Sequence, residues 1–97
     1  MRYEIILAPE AIDDLGALDP PQRSATRKVI ELHLRHEPSK VSKSRIKRLR
    51  GLSRPQFRLR IDDIRVFYDV VGGEVLVLAV VRKANAAEWL AQFGEAK

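Results

Sequence analysis

Residues 56–81 constrain the fold more than any other part of this chain. Three strand-like runs, about 56–61, 64–71 and 74–81, are separated by Asp62-Asp63 and by Gly72-Gly73. Two-residue connections of this composition close β-hairpins, and a tight turn sets the register of its two strands. The run is therefore an antiparallel meander. Counting back from Asp62-Asp63, Ile61 faces Ile64, Arg60 faces Arg65, Leu59 faces Val66 and Phe57 faces Tyr68. Side chains alternate across a strand. Phe57, Leu59, Val66 and Tyr68 then share a core face, and Arg58, Arg60 and Arg65 share the other.

The remaining chain supplies helices to cover the sheet. Tyr3 to Leu7 is strand-like. Pro9 suits a first helical turn, and Ala8, Ala11, Leu15 and Leu18 follow helical spacing. Asp19-Pro20 reads as an N-cap and first helical residue, opening a second helix that runs to about His36. Its expected buried line is Ala25, Val29 and Leu32, widened by Ile30 and Leu34. Residues 39–55 read as a basic loop with room for a short strand near Ile46. Ala84 to Phe93 reads as a last helix, with Ala87, Leu90 and Ala91 near one side. The order β-α-α-β-β-β-α predicts a single α+β domain, residues 1–97, with a mostly antiparallel sheet and an N-terminal helical hairpin on one face.

Charge is concentrated. Lys40, Lys43, Arg45, Lys47, Arg48, Arg50, Arg54, Arg58 and Arg60 fall in one stretch without a single acid. Of 18 basic and 13 acidic residues, those outside the stretch leave 9 against 13, a net of −4. A patch of this kind on an otherwise acidic body points to a polyanion, nucleic acid above all. Counting on from the Gly72-Gly73 turn, Arg65 faces Val80, so Arg82 joins the face of Arg58, Arg60 and Arg65 and Lys83 turns away. Arg60 opposite Arg65 is a repulsive pair, costing up to about 1 kcal/mol, that an anion would relieve. The last strand, Val75 to Val81, is apolar on both sides, so the arginine side needs cover from the final helix or from a partner.

Other chemistry is sparse. There is no cysteine, hence no disulfide and no thiolate site. His33 and His36 sit three apart with no third ligand and read as ordinary helix residues. Asp62 and Asp63 read as turn residues. No metal and no cofactor is expected. No apolar run is long enough for a membrane span and the start does not resemble a signal peptide, so a cytoplasmic protein is expected.

The segments "KRLRGL", "FRLRIDDIRVFYDV" and "VLVLAVVRK", after an opening strand and helical hairpin, make the chain resemble the RelE/ParE superfamily of bacterial type II toxins. The resemblance implies a RelE-like, microbial-RNase-like fold. In its RelE branch it implies a ribosome-dependent endoribonuclease that cleaves messenger RNA, the 2′-hydroxyl attacking the adjacent phosphate to leave a 2′,3′-cyclic phosphate. It also implies a cognate antitoxin, acidic and folding on binding. The family's basic catalytic positions fall on Arg58, Arg60, Arg65 and Arg82, and its late tyrosine falls nearest Trp89. Matching backwards from Trp89 selects Lys83 instead of Arg82. Lys43, Arg45, Lys47, Arg48, Arg50 and Arg54 are the expected RNA contacts, with Trp89 either stacking on a base or anchoring the last helix. Two strand lysines of the family are arginines here, and arginine cannot act as a general base. A ParE-like toxin poisoning DNA gyrase, or a non-catalytic module binding nucleic acid or antitoxin, are the alternatives.

Overall fold

A computed structural model describes residues 1–97. The elements are β1 (Glu4–Leu7), α1 (Pro9–Ala17), α2 (Pro20–Leu34), β2 (Ile46–Arg48), β3 (Leu52–Arg54), β4 (Phe57–Ile61), β5 (Ile64–Val71), β6 (Glu74–Arg82), α3 (Lys83–Phe93) and β7 (Glu95–Ala96). The architecture is α+β, as expected. The main sheet has the order β1-β6-β5-β4-β2, antiparallel except for β1 beside β6. The basic segment is more ordered than a loop. It supplies β2 at the sheet edge, and β3, which pairs with β7 in a separate two-stranded sheet.

The helical hairpin packs on one face of the sheet. Asp19 caps α2, accepting from the Gln22 amide at 3.0 Å, and Pro20 opens it. The core joins Ala11, Leu15, Leu18, Ile30 and Leu34 to Leu59, Val66, Tyr68, Val75 and Val77. The buried line of α2 is Thr26, Ile30 and Leu34. Ala25 is exposed and Leu32 is 74% exposed, against the expectation for both. A strict four-residue repeat faces the sheet, and its first member is a threonine, which hid it among the apolar residues. Tyr68 lies fully within the core, its hydroxyl donating to the Pro38 carbonyl at 2.6 Å.

The β4–β5 register is the one counted from the turn: Ile61 pairs with Ile64, Arg60 with Arg65, Leu59 with Val66 and Phe57 with Tyr68. Asp62 takes a positive φ of 50° there, a conformation aspartate tolerates better than most residues. The β5–β6 register departs from simple counting. It runs evenly from Val71–Glu74 to Tyr68–Val77, then skips Leu78, so that Phe67 meets Ala79 and Arg65 meets Val81. A bulge of one residue inverts every facing beyond it. Above the bulge β6 has lost β1 as a neighbour, and the Asp14 carboxylate of α1 accepts the free Val80 amide at 2.9 Å.

Candidate anion-binding face

The sheet face opposite the helical hairpin collects cations row by row. Paired residues in adjacent strands point the same way. Lys47 pairs with Arg58, and Arg58 with Phe67. Arg60 pairs with Arg65. One step past β2, the Arg60 amide donates to the Arg45 carbonyl at 2.8 Å, so Arg45 continues that row. Arg45, Lys47, Arg58, Arg60 and Arg65 thus occupy one face of three neighbouring strands about 4.8 Å apart. None of the five lies within 4.0 Å of a carboxylate.

Backbone carbonyls hold part of this array. Arg65 is 6% exposed and donates to the carbonyls of Asp62 and Ile64, at 2.7 and 3.0 Å. Arg45 donates to the Arg60 carbonyl at 3.0 Å. Arg58 is less satisfied: its Nε is buried and has no partner. Its guanidinium is pushed below the usual arginine range by burial first, then by the charges of Arg65 and Arg60. Those causes identify a cluster of positive charge short of counter-ions. His33 of α2 is pushed down too, by burial and then by Arg45.

Not every expected residue joins. Arg82 pairs with Ile64, on the face away from Arg65. It bonds Gln22 of α2 at 3.1 Å and lies 3.7 Å from Asp63. Its expected place beside the other three arginines fails because the bulge at Leu78 inverts the facing, and an all-apolar strand gives no alternation from which to read that inversion. Arg48 pairs with Phe57 and lies 5.0 Å from its ring centre, on the hairpin side. Arg54 is held by Asp69 at 3.1 Å, and Asp69 also accepts the Gln56 amide at 2.8 Å. Lys43 and Arg50 are exposed and off the strands. Lys47 was expected only as a loop contact; its pairing with Arg58 places it within the array.

The last helix covers the rest of this face. Trp89 stacks on Phe67 with centroids 4.9 Å apart and planes within 6°, and Phe93 packs on Trp89 at 5.4 Å. One ring face of Trp89 is thus taken, and the residue anchors α3, the second of its two expected roles. The inward side of α3 is Ala86, Trp89 and Leu90, while Ala87 and Ala91 are exposed, unlike the expected arrangement.

The overall fold agrees with solved structures. The toxin–antitoxin complex RelBE2 of Mycobacterium tuberculosis aligns with a TM-score of 0.66 and 25% identity, covering 84% of this chain and 99% of that one. The RelE–RelB complex of Pyrococcus horikoshii gives 0.70 and 21%, covering 86% and 97%. A mutant of the E. coli toxin RelE in its free state gives 0.69 and 22%, covering 94% and 93%. The chain is RelE-like. No protein-family model and no curated protein sequence matches it, so the likeness lies in the backbone more than in the residues. In this RelE-like fold the cationic rows lie on β2, β4 and β5, and α3 closes the far end of the same face.

Proposed function

We propose that the chain is the toxin of a type II toxin–antitoxin pair and that it cleaves messenger RNA on the ribosome. The observation that carries this reading is the carboxylate-free array of Arg45, Lys47, Arg58, Arg60 and Arg65. Forked guanidinium groups suit phosphate oxygens. Arg58 and Arg60 grip the scissile phosphate, Arg65 holds the base of the array, and Lys47 widens it toward the sheet edge. The 2′-hydroxyl attacks the adjacent phosphorus, forming the cyclic phosphate as the bond to the 5′-oxygen breaks and that oxygen takes up a proton. The arginines stabilise the negative charge that builds on the phosphorus oxygens. They take no proton, so their part is electrostatic and positional. Exposed Lys43 and Arg50 extend the cationic surface toward ribosomal RNA. The partner is a cognate antitoxin, acidic and folding as it binds, and the working compartment is the cytoplasm.

The test is incubation of the purified chain with messenger-programmed ribosomes. Expected are cut messages with 2′,3′-cyclic phosphate ends, and cutting slowed about 10²–10³-fold in Arg58→Ala/Arg60→Ala. Intact messages together with trapped gyrase–DNA complexes would replace this reading with the ParE-like one. Absence of growth arrest on expression would leave a binding module.

A further inference from the structure

The helix layer carries a second basic surface, on the side of α2 turned away from the sheet. Arg27, Glu31 and Arg35 form one row four residues apart, and Lys28, Leu32 and His36 form the next. Rows at this spacing lie on one helical face, here about 12 Å long. They line a shallow open groove of about 570 Å³, flanked by Arg2. Glu31 is engaged by Arg35, whose guanidinium also donates to the Tyr3 carbonyl at 3.0 Å. Arg2, Arg27 and Lys28 have no carboxylate within 4.0 Å. In the middle stands Leu32, 74% exposed. This patch lies outside the basic stretch of the sequence, because Arg2 and α2 are brought together only by the packing of β1.

We propose that this groove docks an acidic, amphipathic segment of a protein partner, lying along α2 with carboxylates on Arg2, Arg27 and Lys28 and an apolar side chain on Leu32. An amphipathic helix laid in a groove is a recurrent mode of peptide recognition, read as anchors at three- and four-residue spacing. Two features favour protein over nucleic acid. No Phe, Tyr or Trp side chain lines the groove, His36 being its one ring, so the stacking platform for bases is small. The apolar centre and the Glu31 carboxylate match a peptide with mixed side chains better than a run of phosphates. The surface is separate from the arginine face, since α2 buries its Thr26, Ile30 and Leu34 against the other side of the sheet. The inference does not depend on RNA cleavage.

The experiment is fluorescence anisotropy on the full chain, with three probes. One is a labelled helical peptide of roughly four turns bearing Glu and Leu at four-residue spacing. The others are a shuffled peptide of the same composition and a short uridine RNA. Arg27→Glu/Lys28→Glu should weaken the patterned peptide at least tenfold, about 1.4 kcal/mol. Leu32→Ser should weaken it by a smaller factor, and Arg58→Ala/Arg60→Ala should leave it unchanged. All these positions except Arg58 are exposed, and circular dichroism checks each fold. The proposal falls if no patterned peptide binds, if the shuffled peptide binds equally well, or if Leu32→Ser has no effect. It falls too if only the arginine-face variant loses the peptide, or if RNA rather than peptide is lost from Arg27→Glu/Lys28→Glu.

Discussion

Arg58 and Arg35 are both half-buried arginines of one small domain, and their acidities move in opposite directions. Arg58 is driven down by burial and by neighbouring arginines. Arg35 is driven up, chiefly by its hydrogen bond to Glu31. The first belongs to a face whose charges are concentrated and unanswered, the second to a helix surface that answers part of its own charge. A strand face gathers like charges because cross-strand neighbours come from distant parts of the sequence and share a row. A helix spaced four by four can seat an acid between two bases. The difference separates a surface built to receive an anion at one point from one that offers separated charges around an apolar centre.

The sharpest way to break that distinction is on the strand side. Arg58→Ala/Arg60→Ala should lower message cleavage about 10²–10³-fold, the range for losing a donor aimed at developing negative charge. Arg27→Ala/Lys28→Ala should leave it within a factor of two or three, an effect that weak surface charge contacts give. Single-turnover cleavage on programmed ribosomes compares the two. Equal losses would show that the charges act together as a general field.

Stability offers a smaller contrast. Asp69 is 6% exposed and holds both Arg54 and the Gln56 amide. Asp69→Ala leaves that amide without its acceptor and should cost about 1–3 kcal/mol, and Tyr68→Phe should cost a similar amount by orphaning the Pro38 carbonyl. Urea titration measures both. A null result for Asp69→Ala would mean that the strand face tolerates a further loose arginine. Arg60→Gln should move the other way, stabilising by up to about 1 kcal/mol through relief of the Arg60–Arg65 pair, while cleavage falls. The equivalent change at Arg27, which faces no like charge across a ladder, should stay within about 0.5 kcal/mol.

Much of this contrast could be read before folding, and the exceptions are instructive. The tight turn at Asp62-Asp63 carried enough information to pair Arg60 with Arg65, because polar and apolar residues alternate through Phe57–Ile61. Alternation disappears in Val75–Val81, and there the extra residue at Leu78 escaped counting and took Arg82 with it. The α2 line is ambiguous in the sequence for a similar reason. Val29, Ile30, Leu32 and Leu34 are apolar on more than one side, and only tertiary packing chooses Ile30 and Leu34 over Leu32. Pairing of β2 with β4 rests on contacts between a short edge strand and a distant partner, so Lys47 could be recognised as basic but not as a neighbour of Arg58. The helix groove needed Arg2 from the far end of β1. Local pattern reports facing where the two faces differ in polarity, and fails where they do not.

The smallest effects lie in pH dependence and distinguish the same two regions. Glu31 has its carboxyl held below 4.5 by the Arg35 hydrogen bond, with help from the charges of Arg35, Arg2 and His36. A carboxyl lowered in the folded state stabilises fully above its unfolded value and loses that contribution as pH falls through the folded one. Wild type should therefore melt slightly above Glu31→Gln at neutral pH, with the gap closing in acid below 4.5. The gap should also shrink in 1 M salt, since the pair is exposed. His33, on α2 and within reach of the Arg45 charge, behaves differently. Burial and Arg45 lower its folded value below 6.5, so the unfolded chain takes up its proton first. Stability should then decline as pH falls below 6.5, and His33→Gln should flatten that part of the curve. Melting temperatures of the three chains between pH 3 and pH 8 separate the windows. A shared acid transition near pH 4.5 in all three, with no step near 6.5, would detach His33 from the arginine cluster and leave Arg58 as the one group that feels its crowding.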